Sequence, residues 1–359
     1  VRRKVDLCNG CAVTEPPFVP AVQLCGAFYQ EVVGPLLAGR SHIAALLGSG
    51  SDVLGYDTAR STDHGWGPRL LVFLADRALA QEFERSLESR LPEDFRGWPV
   101  RFGWDDVQSS HQIQVTTLPD WLTGHLGFDA HAGTSMLDWL LTPQQQLLGV
   151  VAGAVYADHT GELIAVQREL AWYPDQVWRW LVACQWHRVA QEEAFVARTA
   201  EVGDDTGSTV TAARLVRDLI RLALLLERRY APYQKWLGTA FARVEHGDGL
   251  PESLAAALRA RGIAQREESL SRAYRALAER HNRTGLTVAV DPGIRTYHER
   301  PARVLMADRF TEATLSTVTD PALSALPLIG GIDQVVDNTD VLADPVNCRR
   351  LAGLYAARP

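Results

Sequence analysis

The chain has 359 residues and is 47% hydrophobic, enough for one large domain or two ordinary ones around a sizeable buried core. Lys and Arg number 36 against 43 Asp and Glu, and the net charge of −7 disfavours general binding to nucleic-acid backbone or to an anionic membrane. No apolar run reaches the roughly 18 residues of a membrane-spanning helix, and the opening VRRKVDLCNGCAVTEPP carries charge with no apolar stretch behind it, so the expectation is a cytoplasmic protein with no signal peptide.

Cys8, Cys11, Cys25, Cys184 and Cys348 are an odd set in a long chain, which argues against a disulfide framework. Cys8 and Cys11 have the spacing of a metal knuckle or redox pair but lack a second pair, so residues 1–18 read as a flexible tail. Apolar residues at helical spacing over 19–37 predict a helix ending before Gly39. IAALLGSGS then reads as a buried element running into a flexible turn, and RLLVFLAD (69–76) as a central strand followed by the helix DRALAQEFERSLESRL. WPVRFGW (98–104) and HQIQVTTL (111–118) are further strands, the second with Ile113 and Val115 on one face and Gln112, Gln114 and Thr116 on the other.

From about Thr134 the pattern becomes helical: TSMLDWLLT, PQQQLLGVVAGAVY, PDQVWRWLVACQWHRVAQEEAFVARTAE and TVTAARLVRDLIRLALLLERRY all read as helices, separated by turns such as GDDTGS and HGDG. No internal repeat or low-complexity linker stands out. The expected fold is α+β, with a small mixed-sheet α/β domain over 19–133 and a helical bundle over 134–359, packed together.

The chemistry-bearing stretch is GSGSDVLGYDTARSTDHGWG (48–67). Gly48, Ser49, Gly50 and Ser51 make a turn whose backbone N–H groups and hydroxyls can approach an anion, because glycine carries no Cβ and tolerates positive φ. It is neither a Walker loop, lacking the following Lys-Ser or Lys-Thr, nor a Gly-x-Gly-x-x-Gly dinucleotide fingerprint. Gly-Ser on a turn, followed after thirteen intervening residues by Asp63 at the start of the strand 69–76, resembles the nucleotidyltransferase superfamily that includes polymerase beta. LLGSGSDVLGYDTARSTDHGWGPRL, LAWYPDQVWRWLVACQW, YAPYQKWLGTAF and DQVVDNTDVL are similar to a branch of bacterial nucleotidyltransferase-like proteins with a C-terminal domain of unknown function.

The resemblance implies Mg²⁺-dependent transfer of a nucleotidyl group from a nucleoside triphosphate, such as ATP, to a hydroxyl or amine. In the superfamily, carboxylates two residues apart on a strand hold two Mg²⁺ ions about 3.5–4 Å apart. Here Asp63 would be the catalytic metal ligand, and Gly48, Ser49, Gly50 and Ser51 would hold the phosphates. Relatives usually carry Asp-His-Asp where this chain has Asp63-His64-Gly65, and Gln114 stands where a third carboxylate is expected. Asp52, Asp57, Asp105 and Asp106 are possible compensating acids. An active transferase and a degenerate nucleotide-binding or interaction protein are therefore both open.

Other residues carry paired readings. His64 could orient a phosphate or be structural, and Trp66 could stack on a base or belong to the core. Gln185, Arg188, Gln191 and Glu192 share a helix face, either lining a cleft or making buried hydrogen bonds between domains. Arg214, Arg217 and Arg221 form a stripe, either reaching phosphates or salt-bridged. Lys235, on an aromatic turn after Pro232, is the candidate phosphate contact from the second domain. Asp333, Asp337 and Asp340 do not match an EF-hand loop and read as capping acids.

Overall fold

A computed structural model describes residues 16–104 and 108–356, and the chain is α+β. It divides into two compact units, one of residues 1–118 with 152–163 and one of residues 119–151 with 164–359. Cys8, Cys11, Asp105 and Asp106 lie outside the described residues, as does most of the expected tail. Phe18, placed in that tail by sequence, instead packs its ring 5.6 Å from Trp66.

The first unit is built on a five-stranded sheet, with small paired strands beside it. Its strands are β1 (Ile43–Leu46), β2 (Arg69–Phe73), β5 (Arg101–Phe102), β6 (Ser110–Thr116) and β7 (Ala154–Asp158), in the order β5-β6-β2-β1-β7; β3 (Asp94–Phe95) and β4 (Trp98–Pro99) form a separate hairpin. β2 runs parallel to β6 and the other pairings are antiparallel. The apolar runs of β1 and β2 follow from their central positions, since a strand covered on both faces has no side that must be polar. Leu46, Leu70, Val72, Ile113 and Val115 pack with Phe28 and with Phe83 and Leu87 of the helix Arg77–Leu87. Asp76 starts that helix by accepting from the Leu79 N–H.

Three expected elements differ. The strand expected over 98–104 divides into β4, which pairs only with β3, and β5, which joins the main sheet beside β6. The helix expected over 19–37 is Ala21–Phe28, followed by a π-helical stretch Tyr29–Val33 and a last turn Gly34–Leu36. The stretch PQQQLLGVVAGAVY is helical only over Gln144–Val151; Gly153 then breaks the helix at φ +79°, and residues 154–158 return to the sheet as β7. An unbroken apolar run does not by its periodicity separate buried helix from buried strand.

The second unit is helical, with long helices Asp175–Glu192, Asp205–Leu226 and Ile263–Arg283, and a small hairpin of β8 (Arg295–Tyr297) and β9 (Arg300–Val304). Trp180 and Trp186 are fully buried in it. The Trp186 indole N–H donates to Nδ1 of the buried His281, whose Nε2 lies 3.1 Å from the Thr287 hydroxyl. Just past the helix Asp175–Glu192, buried Glu193 accepts the backbone N–H groups of Leu305 and Ala307. Between those two donors stands Met306, in the left-handed region at φ +58°. Among the described residues, no helix is long and apolar enough to cross a membrane.

Candidate functional site

The β1–β2 register pairs Ala45 with Leu71 and Ala44 with Val72, so the connection 48–68 leaves and re-enters the sheet at one end. The parallel β2–β6 register sets Arg69 beside Gln112, which brings the start of β6 to the same end. Gln114 sits level with Leu71 and is exposed.

Gly48 and Gly50 adopt φ +97° and +132°, conformations that favour glycine, as the turn reading expects. The chain then tightens: the N–H groups of Leu54, Gly55 and Tyr56 donate to the carbonyls of Gly50, Asp52 and Ser51. Among the described residues, the N–H groups of Ser49, Gly50 and Ser51 and the hydroxyls of Ser49 and Ser51 have no hydrogen-bond partner.

Asp63 is not at the start of a strand. It ends a 3₁₀ turn, Ala59–Asp63, which Thr58 caps by accepting from the Arg60 N–H, and β2 begins only at Arg69. Thr58 and Ser61 cap this turn reciprocally, and that local bonding competes with extension of the strand. The Asp63 carboxylate lies 3.5 Å from Arg60 with both side chains largely exposed. Such a pair contributes about 0–1 kcal/mol, so it leaves Asp63 free to exchange partners.

Asp52 and Asp57 are differently held. Asp52 is 4% exposed and accepts from Arg69 Nε at 2.7 Å. Burial lowers the proton affinity of the Arg69 guanidinium, and the Asp52 charge outweighs it, so the group stays more basic than an ordinary arginine. One oxygen of Asp57 accepts both the Ala21 N–H at 2.8 Å and the Trp66 indole N–H at 3.0 Å. Asp57 thereby ties the first helix to the loop. Asp57→Ala should cost about 2 kcal/mol in urea unfolding, because two donors lose their acceptor, whereas Asp57→Asn keeps an acceptor oxygen and should cost less than about 1 kcal/mol. Equal stability of the alanine variant and the wild type would remove this structural role.

Trp66 is a core residue, 6% exposed and edge-on to Trp98 at 4.6 Å. His64 is exposed, its ring 6.1 Å from that of Trp104. Gly65 has φ +61°, and a Cβ there would stand 3.4 Å from the Trp104 ring. Cys25, fully buried, accepts from the Arg69 N–H and donates to the Gly67 carbonyl; burial pushes its thiol up to about 12. Arg69 is the residue that sequence reasoning passed over. Its signal is a lone cation opening an otherwise apolar central strand.

The polar constellations of the second unit are internal to it. Gln185, fully buried, donates to the Asp218 carbonyl and accepts from Gln334. Arg188 binds Asp218 and the Gln334 carbonyl, Gln191 lies 3.1 Å from His187, and Glu192 pairs with Arg214. These bonds lie within one helix or between helices of the second unit rather than linking domains. Arg217 pairs with Asp337, and Arg221 donates to the Asp333 carbonyl, so the basic stripe and the acidic segment answer each other. Asp333 also accepts the Gln144 N–H. Lys235, also in the second unit, is exposed near the start of the helix Gln234–Ala242, with Nζ 5.1 Å from the Trp236 ring.

Residues 139–237 match a family described as a domain of unknown function (DUF4037). That stretch includes LAWYPDQVWRWLVACQW and the start of YAPYQKWLGTAF. No curated protein matches the sequence. Among solved structures, the chain is similar to a nucleotidyltransferase-like protein from Exiguobacterium sibiricum 255-15, at 12% identity and a TM-score of 0.30, over 83% of this chain and 89% of that one.

Proposed function

We propose that the first unit holds the phosphate chain of a nucleoside triphosphate at the 48–51 turn, as a nucleotide-binding protein of nucleotidyltransferase type that has lost paired-carboxylate chemistry. The observation that carries this reading is the division of groups at one end of the sheet. Among the described residues, donors suited to phosphate oxygens on Ser49, Gly50 and Ser51 have no hydrogen-bond partner. The acids that could have replaced a missing metal ligand are already engaged, Asp52 by Arg69 and Asp57 by Ala21 and Trp66.

Two-metal transfer needs carboxylates in pairs. Among the described residues, no group of three or more His, Cys, Asp or Glu side chains could hold a metal ion, and Asp52 and Asp57 are engaged by other partners. Of the described acids in the loop, Asp63, whose surface ion pair is weak, is the one available to a Mg²⁺ ion that arrives with the triphosphate. Mg²⁺ commonly binds that way, through one or two carboxylates and substrate phosphates.

Calorimetry with each nucleoside triphosphate, with and without Mg²⁺, tests the binding, and pyrophosphate release with hydroxyl and amine acceptors tests the chemistry. Binding without release is the expected result. Release would return the site to the transferases, and no binding of any triphosphate would end the reading. Gly65→Asp is the companion variant: it restores the Asp-x-Asp spacing at a left-handed position that aspartate tolerates at a cost of about 1 kcal/mol. It should raise the Mg²⁺-dependent affinity about tenfold, the gain expected from one charge-assisted contact.

A further inference from the structure

Arg69 makes a set of contacts that stability alone does not explain. It opens β2 between β1 and β6, and every later residue of that strand is apolar and buried. An ion pair buried at such a place stabilises little, since the desolvation of both charges offsets their attraction. Its geometry is specific, however. Nε donates to Asp52 at 2.7 Å while Nη2 donates to the Ser49 carbonyl at 3.0 Å, so one planar guanidinium ties the strand to both sides of Gly50. A Cβ at Gly50 would lie 3.3 Å from Nη2 and 2.1 Å from the Asp52 carboxylate, so the turn is drawn tightly over the ion pair.

The Ser49 carbonyl belongs to the same peptide plane as the Gly50 N–H. In a trans peptide these two groups point in opposite directions. Pinning the carbonyl toward Arg69 therefore aims the Gly50 N–H away from it, out of the turn. Without the pin, the plane is free to turn over, because glycine follows it at little steric cost. The reversed plane would present a carbonyl oxygen, which repels phosphate.

We infer that Arg69 is the positioning residue of the turn, a lock that fixes the 49–50 peptide with its N–H outward for a phosphate oxygen of a polyphosphate ligand. This rests on the triphosphate reading above. Arg60 is the sole other Arg or Lys between residues 41 and 68, and its side chain is 93% exposed, so no neighbouring cation in that stretch duplicates the contact. Lysine cannot replace Arg69, because a single ammonium on a flexible stem does not span Asp52 and the Ser49 carbonyl as the fork does.

Two measurements on the full chain test the lock. In ligand-free protein, hydrogen exchange at Leu54 and Tyr56, whose N–H groups bind the carbonyls of Gly50 and Ser51, should quicken about tenfold in Arg69→Met and in Arg69→Lys. By calorimetry, inorganic triphosphate and ATP should bind both variants about tenfold more weakly. Asp52→Asn keeps an acceptor for Nε and should bind within about threefold of wild type, whereas Asp52→Ala should behave like the arginine variants. Arg69→Lys guards against a methionine variant that fails to fold.

Unchanged exchange in both arginine variants overturns the lock. Wild-type affinity in them overturns its part in phosphate binding while leaving the triphosphate reading in place. Quickened exchange in a protein that binds no triphosphate overturns that reading and supports the lock as a device of the turn.

Discussion

Gly153→Ala should lower stability to urea by about 3 kcal/mol, among the larger single-residue effects available outside the deep core. The residue has φ +79°, and a Cβ there would stand 2.0 Å from the carbonyl oxygen of Leu46, the last residue of β1. That atom is backbone, so nothing flexible can move aside. Either β7 parts from β1, or the end of β1 shifts and takes Gly48 with it. Gly39→Ala is the matching control: its φ of +81° is nearly the same, but nothing lies within 4 Å of the added carbon. It should cost only the left-handed penalty of about 1 kcal/mol. Equal losses in the two variants would show that conformation alone, and not close approach of the strands, requires the glycine at 153.

The second large effect is a pH dependence that is hidden in the wild type. Burial lowers His281 to about 4, and the Trp186 N–H held at Nδ1 fits the neutral ring. Unfolded chains protonate their histidines near 6.5. Between pH 6.5 and 4 the unfolded state therefore binds a proton that the folded state refuses, and stability falls as the pH drops.

Glu193 has the opposite slope. Burial raises it to about 7, with the Ala307 and Leu305 N–H groups opposing, so between pH 4.5 and 7 the folded state keeps a proton that the unfolded chain releases. That contribution is lost as the pH rises. Each shift amounts to about 3 kcal/mol across its window, and the windows overlap. From pH 4.5 to 6.5 the contributions of these two groups should nearly cancel. His281→Asn, which retains an acceptor and a donor, should expose a decline of about 3 kcal/mol from pH 4.5 to 7, and Glu193→Gln a rise of similar size from pH 4 to 6.5. Urea titrations along the pH series check both. Flat profiles in both variants would mean that neither group carries the shift.

β2 and β6 were legible because they rest on periodicity, whereas β7 was read as helix. The alternation of Ile113 and Val115 with Gln112 and Gln114 set β6, and the apolar run after Arg69 set β2. What sequence could not supply was the partner of each charge. Asp52, Asp57 and Asp63 are alike as letters within one loop, yet one is buried against a guanidinium, one joins a helix N–H to an indole, and one is exposed. Only the fold distinguishes the structural acids from the available one. The strand placement of Asp63 failed for a local reason: Thr58 and Ser61 cap a 3₁₀ turn, and spacing to the strand does not reveal that.

The return of residues 154–158 to the sheet also bears on the order in which the protein can be completed as it is made. β1, β2, β5 and β6 emerge from the ribosome in succession, but the partner of β1's other edge follows only after the whole excursion 119–151 into the second unit. Until then, that edge offers open N–H and C=O groups, the kind of surface on which nascent chains pair wrongly. A fragment ending at residue 133 would keep it open permanently. The glycine-rich turn, which begins two residues beyond β1, thus hangs from a strand that is the last of the sheet to be flanked on both sides.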